Sequence, residues 1–166
     1  MPKHILSAAA LLLTASLGTA GAGGAAAPPT PAGAQVQAAT PATVAAALRE
    51  AGYTVAVNPA GADEDPSLSV KAGEYELDVW FSGCRGTSCD RVTASTSWGY
   101  EDDEENLDTD LANEWNSNYF TQAYIYEGSY YLDSTLTLRG GYTKAALKAW
   151  MEDYLGDVED FEGELP

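Results

Sequence analysis

The chain has 166 residues, of which 25 are acidic and 8 are basic, giving a formal net charge of −17. A surface this negative repels phosphate groups, which argues against nucleic-acid binding and against attachment to anionic membranes. The sequence also contains no GxxxxGKS/T phosphate loop and no GxGxxG dinucleotide fingerprint. The common nucleotide-dependent enzyme classes are therefore excluded.

The N-terminal segment, MPKHILSAAALLLTASLGTAGAGGAAAP, has the layout of a secretory signal peptide. A basic start with Lys3 and His4 precedes an apolar run and then small residues. The apolar run is shorter than the roughly 20 residues that span a bilayer, and the alternative is an uncleaved membrane anchor. We predict a signal peptide over residues 1–22, with cleavage as late as residue 27. The protein is then periplasmic or secreted, without membrane insertion after cleavage.

Cleavage of this segment removes His4, the single histidine of the chain. Catalytic sites that use histidine as the general base are then excluded, and so are zinc or haem sites with histidine ligands. We therefore expect no cofactor, no metal site and no enzymatic activity.

Residues 23–39 consist mainly of Ala, Gly and Pro with almost no bulky side chains, which predicts a flexible linker. The folded domain is predicted over residues 40–165. Thr40 and Pro41 are typical of an N-cap and the first helical position, and Gly52 is typical of a helix end. Two short strands are predicted next, at residues 53–57 and 67–72.

Residues 75–81, YELDVWF, alternate apolar and polar side chains, as in a strand with one buried face. If Cys84 lies opposite Cys89, paired positions sum to 173 and each apolar residue of this strand faces an inward residue of the next. The sequence therefore predicts a β-hairpin with the pairs Phe81–Val92, Val79–Ala94, Leu77–Thr96 and Tyr75–Trp98.

The two cysteines of SGCRGTSC have three interpretations: a redox catalyst, half of a metal site, or a structural disulfide. Two cysteines alone cannot complete a zinc site. A thioredoxin-type pair has two intervening residues at a helix N-terminus, whereas four residues separate Cys84 from Cys89 between two strands. A disulfide in an oxidising compartment is the favoured interpretation.

Residues 101–110, EDDEENLDTD, form the densest acidic run of the chain. The run lacks the EF-hand pattern and its turn glycine, so we interpret it as a solvated entry to a helix, with calcium binding as the alternative. Leu107, Leu111 and Trp115, spaced by four, mark that helix, which is predicted to end near residues 115–118.

A second hairpin is predicted around Gly128–Ser129 as a two-residue type II′ turn, with paired positions that sum to 257. Ile125 then faces Leu132 on the core side, and Tyr124, Tyr126 and Tyr131 lie on the opposite face. Those aromatic residues could form a partner surface, be covered by a helix, or stabilise the sheet by cross-strand pairing. The candidate partner surface comprises Trp80, Tyr124, Tyr126 and Tyr131.

A last helix is predicted after Gly140–Gly141, with Thr143 as its N-cap. Its apolar stripe is typical of a helix that docks on a core. Strands interrupted by helices in this order predict an α+β fold, with helices packed on an antiparallel sheet. The stripe comprises Leu147, Trp150, Met151, Tyr154, Leu155 and Val158, and Phe161 extends it.

Four stretches in this order resemble the YbjN family of bacterial proteins, which are labelled sensory transduction regulators: LREAGYTV, YELDVWFSGC, LANEWNSNYFTQAYIY and LTLRGGYTKAALKAWMEDYLGDVEDF. The most specific family-like positions are Asn113, Trp115, Asn116, Gly140 and Gly141. The resemblance implies a fold like that of type III secretion chaperones, which often form dimers, and it implies no catalytic residues. A signal peptide departs from the cytoplasmic members of the family.

Three functions remain open. The first is a non-catalytic, chaperone-like binding module of the periplasm that recognises a protein or peptide. The second is a calcium-binding protein that uses the acidic run, and the third is a hydrolase with a carboxylate pair, for which no spacing in the sequence singles out a candidate. The protein is expected to be a monomer or, by analogy of fold, a homodimer.

Overall fold

A six-stranded antiparallel sheet organises the computed structural model, which describes residues 34–61 and 65–166. In spatial order its strands are β2 (Thr54–Asn58), β3 (Ser67–Ala72), β4 (Tyr75–Ser82), β5 (Arg91–Gly99), β7 (Ser129–Thr137) and β6 (Gln122–Tyr126). A two-stranded ribbon pairs β1 (Val36–Gln37) with β8 (Tyr142–Thr143). The helices are α1 (Pro41–Glu50), α2 (Thr109–Asn118) and α3 (Lys144–Glu164), and Glu104–Asn106 form a 3₁₀ turn. The predicted α+β fold is confirmed.

One face of the sheet and the helices α1 and α3 enclose the core. The alternating apolar residues of the strands point into it, and α3 is anchored by Tyr154, whose hydroxyl donates to the Leu132 carbonyl at 2.8 Å. Thr40 caps α1 and Thr143 caps α3, as predicted. The largest fully buried side chains are Tyr130, Tyr154, Phe81, Phe161, Leu48, Leu68, Leu77, Leu132, Leu138, Leu147, Met151 and Val44.

The first hairpin has the predicted register, because its paired positions sum to 173 along the whole ladder. Phe81 pairs with Val92 and Val79 with Ala94. The ladder ends at Asp78–Ser95, so the two outermost predicted pairs, Leu77–Thr96 and Tyr75–Trp98, lie beyond it. The opposed cysteines and the apolar alternation together therefore predicted the register of this hairpin.

The predicted register of the second hairpin is wrong by one position at its turn. Paired positions sum to 255, not 257, and the turn is centred on Glu127–Gly128 instead of Gly128–Ser129. Glu127 and Gly128 both have positive φ, 46° and 77°, which is the backbone of a type I′ turn, whose twist suits a hairpin. Because partners shift by two residues, each side chain keeps its predicted face.

The last residues of the predicted linker, residues 23–39, belong to the fold. Val36–Gln37 pair with Tyr142–Thr143, Ala39 is buried, and the Ala39 carbonyl accepts a hydrogen bond from the Cys89 amide at 2.8 Å. Backbone pairing holds these residues although their side chains are small, which composition does not reveal. The rest of the predicted linker, up to residue 33, and the predicted signal peptide lie outside the described residues.

Within residues 34–61 and 65–166, no helix is both long and apolar enough to cross a membrane.

Candidate binding surface

The face of the sheet opposite the core carries all four predicted aromatic residues, and we call it the open face. No helix among the described residues covers it: Tyr124 and Tyr126 are 38% and 56% exposed, and Trp80 and Tyr131 are half-buried. The described residues therefore do not supply the covering helix of the predicted alternative. The open face comprises the outward residues of β4, β5, β7 and β6, namely Glu76, Asp78, Trp80, Ser82, Arg91, Thr93, Ser95, Ser97, Tyr131, Asp133, Thr135, Gln122, Tyr124 and Tyr126.

The strand register arranges the open face in rows that run across the strands. One row joins Trp80, Thr93 and Thr135, and another joins Ser97, Tyr131 and Tyr124. Between them lies the row of Asp78, Ser95, Asp133 and Gln122. Aromatic side chains thus stand on both sides of a strip of small residues on β5, and Trp80 is two strands from the tyrosines.

The three tyrosines form one cluster. Tyr124 and Tyr131 are directly opposite on β6 and β7, and their rings stack with centroids 5.2 Å apart and planes 8° from parallel. Tyr126 approaches Tyr131 edge-on, with centroids 6.3 Å apart. The predicted cross-strand pairing therefore exists together with solvent exposure, so stabilising the sheet and presenting a surface are not exclusive roles.

Asp133 lies beside this cluster as a half-buried carboxylate. Its Oδ2 accepts a hydrogen bond from the Tyr124 hydroxyl at 3.3 Å, whereas its buried Oδ1 has no hydrogen-bond partner among the described residues. Burial raises the pKa of Asp133, and the nearby Ser95 and Tyr124 hydroxyls offset part of that rise. Burial and the Asp133 charge together raise the pKa of Tyr124 to about 12, so its hydroxyl stays protonated and can donate.

A cleft of about 370 Å³ opens at this edge of the open face, where β6 begins. Phe120 borders it with a fully exposed ring, and Asp133 lies within it. Behind the cleft, the Trp115 indole donates to the Thr121 hydroxyl, which donates to Asp157, both at 2.9 Å. The cleft is lined by Asn116, Tyr119, Phe120, Thr121, Gln122, Asp133 and Thr135.

Sequence reasoning missed Asp133 and Phe120 as members of this surface. Phe120 follows α2 and precedes β6, so its position depends on where both elements end. Asp133 is two residues after Tyr131 on β7, so the alternation of the strand places both on the same face and could have identified Asp133. The predicted register, however, set Asp133 opposite Tyr124 rather than opposite Gln122, where it lies.

The family-like motif on α2 has structural contacts. The Asn116 side chain pairs with both backbone groups of Ala123, donating to its carbonyl at 2.9 Å and accepting from its amide at 2.7 Å. Trp115 is buried and packs edge-on against Phe161, with centroids 4.9 Å apart. Asn113 is exposed. Asn116 and Trp115 thereby fix α2 against the edge strand β6.

The Gly140–Gly141 pair turns the chain from β7 towards β8. Both residues have positive φ, 86° and 98°, where glycine is favoured. A Cβ atom on Gly141 would lie 2.5 Å from Val36 Cγ1 and 2.6 Å from the Gln37 oxygen. Gly141 therefore makes room for β1.

Side chains of the acidic run, residues 101–110, make local structural hydrogen bonds. Asp108 is the N-cap of α2, with its carboxylate accepting from the Asp110 amide at 2.8 Å, and Glu101 accepts from the Ser129 hydroxyl at 3.0 Å. Across the part of the chain that the structure describes, no three potential metal ligands among His, Cys, Asp and Glu are grouped. The run thus enters a helix, as predicted.

Cys84 and Cys89 are bonded to each other, which confirms the predicted disulfide. Their Cα atoms are 3.9 Å apart, and the Arg85–Ser88 bridge continues the same register into the loop. Next to the bond, Asp90 pairs with Arg85 at 3.4 Å and with Arg139 at 3.3 Å. The disulfide closes the end of the hairpin and lies away from the tyrosine cluster.

Comparisons with known proteins identify one family. The model of the YbjN family, described as "Putative bacterial sensory transduction regulator", matches residues 40–165. No curated protein matches the chain, and no solved structure matches it. The family match spans the whole predicted domain, and the family is one of regulators rather than of known enzymes. The chain belongs to the YbjN family.

Proposed function

We propose that the chain is an exported, non-catalytic binding module that recognises a protein or peptide through its open face. The observation that carries this proposal is an aromatic sheet face that no described helix covers, with Trp80 on one side and the tyrosine cluster on the other. Membership of a family of regulators supports a role in binding rather than in catalysis.

The chemistry of the open face suits a polypeptide ligand. Tyrosine and tryptophan present large rigid areas with few rotatable bonds, so they lose little conformational entropy on binding. Thr93 and Ser95 on β5 are small and buried between the aromatic flanks, so the aromatic rings provide the accessible contact area for an extended segment. Polar hydroxyls on the same face provide hydrogen-bond partners for its backbone.

Export is supported by two observations on different parts of the chain. The N-terminal sequence has the layout of a signal peptide. The Cys84–Cys89 disulfide belongs to the kind of bond that persists in oxidising compartments outside the cytoplasm.

The test is capture of a partner from extract of the exporting compartment by gentle crosslinking to the purified mature protein. The wild-type protein is expected to capture the same protein or peptide reproducibly, and a Tyr124→Ser/Tyr131→Ser variant is expected to lose it. Val57→Ser, which alters an exposed apolar residue on β2, is the matched control and should retain capture. Equal capture by all three proteins, or none by the wild type, would refute the proposed function.

A further inference from the structure

An acceptor with a buried oxygen lies on the open face, in the cleft beside β6. Asp133 occupies the middle row, between Ser95 on β5 and Gln122 on β6. Its Oδ2 accepts from Tyr124, and its Oδ1 is shielded from solvent and accepts no hydrogen bond of good geometry from the described residues, although the neighbouring Ser95 hydroxyl lowers the pKa of this carboxyl. A buried carboxylate oxygen without a donor is costly, because desolvation of the charge is not compensated.

The surroundings of Asp133 indicate which kind of hydrogen-bond donor would bind its carboxylate. The carboxylate lies in a cleft large enough for a side chain, bordered by the fully exposed ring of Phe120. A carboxylate next to aromatic rings is the setting that binds ammonium and guanidinium groups, through charge-assisted hydrogen bonds and contacts with the ring faces.

The charge of the molecule favours the same class of ligand. The chain carries 25 acidic and 8 basic side chains. On the open face, Glu76, Asp78 and Asp133 are acidic and Arg91 is basic, and the Lys71 ammonium, 4.0 Å from Glu76, offsets part of the charge of Glu76 alone. A basic segment would therefore be attracted over a distance before the aromatic contacts form.

We propose that the partner of the open face is a basic polypeptide segment, and that the Asp133 cleft binds one of its lysine or arginine side chains. This inference rests on the proposed function and gives the chemical class of the ligand. The cationic group donates to the Asp133 carboxylate, which lines the cleft, and its aliphatic stem lies against Phe120. The tyrosine cluster contacts the neighbouring part of the segment.

The test compares two probes of nearly the same shape, one with a cationic guanidinium group and the other with a neutral urea group. Each is a terminally blocked decapeptide of serine and valine with one central residue, which is arginine in one peptide and citrulline, its neutral analogue, in the other. Binding to the mature protein is followed by NMR titration of backbone amides. The arginine peptide is expected to bind the wild type about tenfold more tightly than the citrulline peptide, with shift changes at Asp133 and Phe120.

Two variants that each remove one negative charge show whether the preference for arginine depends on Asp133. Asp133→Asn should abolish the preference for arginine, whereas Asp102→Asn, which removes the same charge from an exposed loop residue, should keep it. An equal preference in both variants would overturn the inference, because the net charge alone would then explain it. Thermal unfolding of both variants confirms that each is folded.

The outcomes also separate the two proposals. If the wild type has no preference for arginine, but the Tyr124→Ser/Tyr131→Ser variant still loses the captured partner, the basic ligand is refuted and the binding role of the open face stands. If capture does not depend on the tyrosines, the proposed function itself is refuted, whatever the arginine preference.

Discussion

Asn116 shows how a single residue closes the exposed edge of the sheet. β6 is the last strand in the spatial order, so no strand of the described residues lies beside its outer backbone groups. The Asn116 amide pairs with the Ala123 carbonyl and amide as a strand would. Unpaired edges invite pairing with other chains, and this side chain protects one next to the proposed binding surface.

Replacing Asn116 with alanine should destabilise the protein by about 1–3 kcal/mol, because it leaves both Ala123 backbone groups without their partner. Asn113→Ala, three residues earlier on the same helix and exposed, is the control and should change stability by less than about 0.5 kcal/mol. Urea unfolding of the three proteins measures the difference. Equal stability of both variants would show that the pairing contributes nothing.

Asp133 should make stability depend on pH with a definite sign. Because its pKa is raised in the folded state, folding favours its protonated form. That contribution is present below the ordinary pKa of 3.8 and is lost as the pH rises through the raised value. The charged carboxylate therefore weakens the folded state at neutral pH, which is typical of a residue retained for function.

We expect Asp133→Asn to increase the free energy of unfolding at pH 7 by less than about 1 kcal/mol. The gain relative to wild type should disappear near pH 3, where the wild-type carboxyl group is protonated. Urea unfolding at both pH values measures it, with Asp102→Asn as the control. A variant that is less stable than wild type at pH 7 would show that the charge is already compensated within the protein.

The sequence placed four aromatic residues on one face, although one of the two registers was wrong. Side chains in a strand alternate with a period of two, so a shift of two between partners leaves Tyr124, Tyr126 and Tyr131 on the same face. Their mutual contacts do depend on register, which is why the Tyr124–Tyr131 stack and the position of Asp133 emerged only from the structure.

At the scale of elements, the two hairpins differ in what fixes them. The first has an apolar alternation on both strands and a disulfide that agrees with it. The second depends on its turn, where Glu127 adopts a positive φ of 46° that a non-glycine residue seldom takes. Local turn preference predicted the turn one residue too late. Types I′ and II′ both suit the twist of a hairpin, so that twist does not choose between the two positions.

The β1–β8 ribbon is the element that the sequence did not reveal. Two residues with small neighbours carry no periodicity, and the pairing joins positions 36 and 143, which are far apart in the chain. The glycine pair was recognised as a strand end, but its spatial role is to admit β1 beside Gly141.

Alanine substitutions can separate backbone strain from steric exclusion at this pair. Gly140→Ala adds a side chain into open space and incurs only the positive φ, about 1–2 kcal/mol. Gly141→Ala incurs similar strain and also collides with Val36 and the Gln37 backbone. We expect Gly141→Ala to be clearly the more destabilising in thermal unfolding. Equal losses would show that β1 moves aside without cost.

At the scale of the whole molecule, helices cover one face of the sheet and leave the other open. The covered face holds the core, with α3 as its largest apolar element. The open face combines exposed aromatic rings with acidic side chains. The proposed binding function rests on this asymmetry.

Site-specific photo-crosslinking in the producing cell would show directly what contacts the open face. A photoreactive phenylalanine analogue replaces Tyr126, at the exposed margin of the tyrosine cluster, or Asp153, an exposed residue of α3. We expect a discrete crosslinked product from position 126 that is absent from position 153 and is lost when Tyr124 and Tyr131 are serine. No product from position 126, or the same product from both positions, would contradict a binding role for the open face.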